Sequence, residues 1–150
     1  MKAIGKQLAG AALLAMLAAP AFAAEHEIKM LNKGSDGETM VFEPSFLRIA
    51  PGDTVVFVPT DKSHQVDAVK EALPEGAEEF KGKLNQAVSV TLTIPGAYPV
   101  KCIPHLGMGM VGLIVVGDGV PDNLEQVKSI RLPKKSKDRL AADIAKAEAP

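Results

Sequence analysis

From residue 88 to residue 94 the chain alternates Val-Ser-Val-Thr-Leu-Thr-Ile without a fault. That period of two places one face of a strand against a core and the other in water. Thr54–Val58 and Met110–Val116 are nearly continuous apolar runs rich in β-branched residues, the pattern of strands buried within a sandwich. Weaker strand patterns fall at 26–32, 46–50, 64–69 and 97–102. Gly and Pro interrupt the chain at short intervals, as at Pro51-Gly52, Pro95-Gly96 and Pro104, and this punctuation suits many short strands. About seven strands in about 95 residues predict an antiparallel β-sandwich.

Past residue 118 the period changes. Leu124, Val127 and Ile130 recur at helical spacing with Pro121 near the start, and a second helix is expected from about Ser136, read as its N-cap, through Leu140 and Ile144. Both apolar stripes are narrow, so the helices are expected to pack on the sandwich and not to form a second domain.

The first 23 residues follow neither pattern. Lys2 and Lys6 precede an apolar run over 8–19, which ends at Pro20 and the small-residue site Ala21-Phe22-Ala23. This is the plan of a secretory signal peptide, and the run is too short for the roughly 20 residues of a membrane-crossing helix. Cleavage near Ala23/Ala24 is expected to leave an exported chain without a membrane anchor. The expected organisation is a signal peptide over 1–23 and one domain over 24–150, with the sandwich over 24–118 and the helices over 119–150.

Composition narrows the function. The 150 residues hold 47% apolar side chains, and 1–23 carries much of the surplus. The full chain has 17 basic against 18 acidic residues, and loss of Lys2 and Lys6 takes the net charge from −1 to −3. No Trp, one Tyr and five Phe, without a basic excess, leave nothing with which to stack or hold nucleic acid.

The chain has one cysteine and three histidines. A lone thiol in an oxidising compartment pairs with nothing inside its own chain, so Cys102 is expected to be buried or held. Around it the sequence reads Cys102-Ile-Pro-His105-Leu-Gly-Met-Gly-Met110, which brings a thiol, an imidazole and a thioether together within nine residues. Its parity with Tyr98 and Val100 puts Cys102 on the inward face of its strand. His64, at the start of another expected strand, supplies a second imidazole. Two His, one Cys and a weak axial Met are the donors of blue-copper electron-transfer sites. His26, near the mature N-terminus, is read as exposed and without function.

Met30-Leu-Asn-Lys-Gly34, Met40-Val-Phe-Glu-Pro44, Ala50-Pro-Gly-Asp-Thr54, Pro59-Thr-Asp-Lys-Ser-His64, Val100-Lys-Cys102 and Pro104-His105 with Gly107-Met-Gly-Met-Val-Gly112 resemble the pseudoazurin group of the cupredoxin family, small exported blue copper proteins. The likeness extends over nearly all of 24–150. It implies an all-β Greek-key sandwich of about eight strands with two short C-terminal α-helices. It also implies one type 1 copper ion, cycling between Cu(II) and Cu(I), on His64, Cys102, His105 and Met110. The family pattern selects Met110 over Met108. Gln65 stands where the family usually has Asn, Leu106 where an aromatic is common, and Lys29 where several relatives have His. The Gln65 backbone N–H is still expected at the thiolate.

With no acid–base pair evident, the expected role is periplasmic electron transfer and not catalysis. The resemblance implies a periplasmic nitrite reductase of denitrification as the acceptor of electrons. Docking is expected through an apolar patch of Met40, Pro104, Leu106 and Met108 around His105. Lys62 and Lys101 lie beside the site in sequence, and the resemblance adds Lys33, Lys81, Lys83, Lys134 and Lys135 as a steering ring. The protein is expected to be a monomer. A copper enzyme would need further histidines, and only His26 is spare. A copper storage or delivery protein is the alternative.

Overall fold

The computed structural model describes residues 22–149, so the expected signal segment lies outside the described residues apart from Phe22 and Ala23. Eight strands form two sheets: β1 (Glu25–Lys33), β2 (Thr39–Glu43), β3 (Phe46–Ile49), β4 (Thr54–Val58), β5 (Asp67–Ala68), β6 (Val88–Thr91), β7 (Gly96–Lys101) and β8 (Val111–Val116). One sheet has the order β2-β1-β4-β6 and the other β3-β8-β7-β5.

Two pairings depart from the antiparallel expectation. β1 runs parallel to β4, and β3 runs parallel to β8. A tight hairpin forces antiparallel pairing, but these strands meet after long excursions of the chain, which leave their direction to the packing of the whole fold. The strand expected at 64–69 shrinks to Asp67–Ala68. The backbone of its first residues is engaged elsewhere: Gly82 N–H donates to the Val66 carbonyl at 2.7 Å, and Asn85 N–H to the His64 carbonyl at 2.8 Å. β2 escapes the period-two reading because only Phe42 in it is fully buried.

Between the sheets lie Ile28, Met30, Phe42, Val55, Phe57, Tyr98, Val100 and Ile114, with Cys102 and Met110 at one end of the same core. The buried Tyr98 hydroxyl donates to the Ile94 carbonyl at 2.7 Å, which satisfies a polar tip that burial would otherwise penalise. The outer face of the second sheet is also covered. Val111, Leu113 and Val115 pack there against Leu124, Val127, Leu140 and Ile144 of two helices, α1 (Leu124–Lys128) and α2 (Lys134–Glu148). This explains why β8 reads as unbroken apolar sequence: every residue in it is buried. β4 reads similarly but buries only Val55 and Phe57 completely.

Asn123, just before α1, clamps the layers together. Its Oδ1 accepts from Ala97 N–H at 2.8 Å, and its Nδ2 donates to the Ala72 and Ala97 carbonyls. α2 starts two residues earlier than expected, after Pro133, so Ser136 is not its N-cap. Ser136 lies inside the helix, wholly buried, and its hydroxyl donates to the Leu106 carbonyl. Among the described residues, no helix is long and apolar enough to cross a membrane.

Candidate metal centre

Three potential ligands converge at one end of the sandwich. Cys102 follows β7 directly, His64 lies in the loop after β4, and His105 sits in a short 3-10 segment over Ile103–Met108. Cys102 Sγ is 3.9 Å from His64 Nδ1 and 3.6 Å from His105 Nδ1, and the two Nδ1 atoms are 3.1 Å apart. Metal bonds of about 2.0 Å to imidazole and 2.3 Å to thiolate would set donor atoms of one coordination sphere about 3 to 4 Å apart. The three measured separations fall in that range.

The loop holds this geometry through its own backbone. Cys102 N–H donates to the Met110 carbonyl at 3.0 Å, His105 N–H to the Cys102 carbonyl at 3.2 Å, and Met110 N–H to the His105 carbonyl at 3.2 Å. Met110 is thereby tied to both Cys102 and His105. It is fully buried, whereas Met108 is 44% exposed, so the two methionines that spacing alone left open are distinguished by burial.

His64 is built in from two sides. Asn32 Oδ1 lies 2.9 Å from His64 Nε2, so the ring hydrogen sits on Nε2 and the Nδ1 lone pair faces Cys102 and His105. Asn32 is itself anchored, since its backbone N–H donates to Asp61 Oδ2 at 2.7 Å. On the other side Ser63 adopts a left-handed backbone with φ +73°. Asn85 Oδ1 accepts from Ser63 N–H at 2.5 Å, and Asn85 N–H donates to the His64 carbonyl. A left-handed serine costs about 1–3 kcal/mol and persists only where its surroundings enforce it. Neither Asn32 nor Asn85 was singled out from the sequence. The only hint was position, since Asn32 lies in the motif Met30–Gly34.

Electrostatics favour neutral imidazole and a protonated thiol until a metal arrives. Burial, and then the nearby His105, push the His64 pKa down. Burial pushes the Cys102 thiol up, against the backbone amides of Gln65 and His105, which lie at the sulfur and favour the thiolate. The Gln65 amide is therefore where the sequence placed it. Its side chain turns away, with Nε2 donating to Asp67 Oδ1 at 3.1 Å. A buried soft donor beside two imidazoles and a buried thioether fits one type 1 copper ion.

His26 corrects the reading made from sequence. It is not an idle exposed residue: its Nε2 lies 2.9 Å from Asp53 Oδ2, and the side chain is only 29% exposed. Asp53 also accepts from the backbone N–H groups of Ala24 at 2.8 Å and Ala50 at 3.1 Å. The group closes the N-terminal end of β1 and takes no part in the Cys102 cluster. Leu106 also differs from expectation, because it packs in the helix-covered cluster of the second sheet. Pro104 and Met108, near His105 in the same loop, are exposed, as is Ile103 at 48%.

Known proteins with the same features are numerous. Residues 28–117 match the family model for copper binding proteins of the plastocyanin/azurin family. The chain is 58% identical over 137 residues to a pseudoazurin from Paracoccus pantotrophus, covering 91% of this chain and 93% of the relative. It is 55% identical over 141 residues to a putative pseudoazurin from Rhizobium leguminosarum, covering 94% and 91%. A solved pseudoazurin structure from Hyphomicrobium denitrificans superposes with a TM-score of 0.76 at 47% identity, covering 81% of this chain and 97% of that one. With that sandwich, those two helices and that cluster of donors, the chain belongs to the pseudoazurins of the plastocyanin/azurin family, blue copper proteins that carry electrons and are not enzymes.

Proposed function

We propose that the protein is exported to the periplasm, cleaved near Ala23/Ala24, and acts there as a monomeric single-domain carrier that holds copper on His64 Nδ1, Cys102 Sγ, His105 Nδ1 and the Met110 thioether. The convergence of three donor atoms within 3.9 Å of one another, two of them in a loop already closed by backbone hydrogen bonds, supports this reading most directly. Bound copper supplies a one-electron couple between Cu(II) and Cu(I).

The chain's task is to keep its donors still while that electron comes and goes. Cys102 and His64 are wholly buried, and the backbone bonds among Cys102, His105 and Met110 resist any opening of the loop. The Gln65 and His105 amides hydrogen-bond the sulfur and tune its electron donation. Pro104 restricts the loop and carries no N–H to compete for that sulfur. Of the three clustered donors only His105 is not fully buried, which makes its ring edge the exit for electrons.

The acceptor we propose is a periplasmic nitrite reductase of denitrification, docked on Ile103, Pro104 and Met108 near that edge. Lysines would steer the encounter. Lys33, Lys62 and Lys83 are exposed and form no salt bridge among the described residues, whereas Lys81, Lys134 and Lys135 pair with Glu79, Asp138 and Glu38. Of the five lysines that the resemblance adds, three are thus partly neutralised, and the effective ring is smaller than expected.

Cu(II) added to the mature protein should produce an intense visible thiolate-to-copper band, absent in Cys102→Ser and reversibly bleached by a mild reductant. A colourless complex, or one that cannot cycle, would favour storage or delivery. Electron transfer to a purified nitrite reductase should slow as salt rises, and a rate indifferent to ionic strength would refute the lysine steering.

A further inference from the structure

The segment between His105 and Met110 has only four residues, and α2 bonds two of their carbonyls. Ser136 Oγ donates to the Leu106 carbonyl, immediately after His105. Arg139 Nη1 donates to the Gly109 carbonyl at 3.0 Å, immediately before Met110. Ser136 and Arg139 are three residues apart and share one face of the helix.

Arg139 does more than touch the loop. Nη1 also reaches the Met40 carbonyl at 2.9 Å, and Nη2 reaches the Thr39 carbonyl at 3.0 Å and Glu38 Oε2 at 2.6 Å. Met40 is a non-glycine residue with φ +52°, so the guanidinium holds a backbone conformation that methionine rarely adopts. One planar fork thus joins β2, α2 and the His105–Met110 loop, a geometry that lysine cannot reproduce. The helix also stands hard against the loop. Gly109 has φ +93°, and a Cβ there would lie 2.9 Å from Lys135 Cγ and 3.0 Å from Arg139 Cδ.

The helix is a firm base for this contact. Leu140 and Ile144 pack in the cluster over the outer face of β8. Arg48 Nη2 donates to the Ala147 carbonyl at 3.2 Å, and Ser45 Oγ to Asp143 Oδ1 at 3.0 Å. A displacement of the helix would pass through Leu106 and Gly109 to the two residues that flank them.

We propose that Ser136 and Arg139 are positioning residues for copper, setting from α2 the separation of the His105 imidazole and the Met110 thioether. The inference rests on the ligand set proposed above. The long methionine contact is one of the levers on the spectrum and potential of such sites, so the C-terminal helix is part of the tuning apparatus and not only a cover for the sheet.

The test compares copper-loaded Ser136→Ala, Arg139→Lys and Arg139→Gln with the parent and with Leu140→Ala, which removes core packing from α2 and keeps both of its hydrogen bonds to the loop. The two Arg139 variants and Ser136→Ala should change the ratio of the visible absorption bands, the rhombicity of the electron paramagnetic resonance signal and the reduction potential. Leu140→Ala should lower the melting temperature and leave all three nearer to the parent. In the copper-free proteins, exchange of the Gly109 and Met110 amides should quicken about tenfold in Arg139→Lys, the factor that about 1.4 kcal/mol of lost hydrogen bonding produces. That readout survives even if Arg139→Gln fails to fold. Parent-like spectra and potentials in the loaded Ser136→Ala and Arg139→Lys proteins would overturn the proposal. A parent protein with no blue band would instead refute the ligand set itself, before any variant is made.

Discussion

Asn32 Oδ1 lies 2.9 Å from His64 Nε2, so a residue of the first strand decides which nitrogen of a distant imidazole is free to bind metal. Asp61 holds the Asn32 backbone in turn. Replacement of Asn32 by Leu removes the acceptor and frees the His64 tautomer and ring. Copper affinity should fall about 10–100-fold, as for other supports of metal-binding histidines. Competition with a chromophoric chelator measures it, and an unchanged affinity would show that packing alone orients the ring.

Asn85 makes a different kind of contribution. Its side chain accepts from the left-handed Ser63, and its own backbone is also left-handed, with φ +62°. Asn85→Gly keeps the backbone conformation accessible and deletes only the acceptor. Stability should fall by about 1 kcal/mol, read as a lower denaturant midpoint at unchanged slope. A larger loss of copper affinity than of stability would locate the damage at His64.

Asp53 should shape acid unfolding. The His26 hydrogen bond, followed by that from the Ala24 amide, holds its carboxyl below the usual range. A carboxylate whose folded pKa is depressed adds stability above its unfolded pKa, and loses it as pH falls through the folded value. Asp53→Asn should therefore melt below the parent at neutral pH, with the two curves approaching each other below about pH 4. A gap that stays constant down to pH 2 would assign the effect to packing.

Asp143 should slope the other way. Burial raises its pKa against opposing hydrogen bonds from Ser45 and Lys146, and its Oδ2 is buried without a partner among the described residues. A carboxyl whose folded pKa is raised is most comfortable protonated, so the folded state loses stability as pH climbs through that value. The melting temperature of Asp143→Asn relative to the parent should rise between pH 4 and pH 7. A difference independent of pH would mean that the group stays in one protonation state throughout.

Much of this molecule was legible before folding, and the limits of that reading have physical causes. The Val88–Ile94 alternation and the run ending at Val116 mark real strands, because burial of one face or both is written directly into hydrophobic order. Cys102 and His105 share one short loop, so chain connectivity alone keeps them near each other. The parallel pairs β1–β4 and β3–β8 were not legible, since no local turn specifies them. Ser136 was misread as a cap because a serine near a helix start carries the same signal whether its hydroxyl bonds its own helix or another segment's carbonyl. His26 looked idle because its partner Asp53 is 27 residues away.

The donor types, the spacing of three of them, and the alternation that makes two apolar faces are all written along the chain. Folding was needed to bring His64 to Cys102 and His105, to aim it with Asn32 and Asn85, and to carry α2 back to the Leu106 and Gly109 carbonyls. The reason is the range of the forces involved. Hydrophobic periodicity is a property of neighbours along the chain, whereas a hydrogen bond of about 3 Å between residues tens or a hundred positions apart exists only after the core has closed and brought them together.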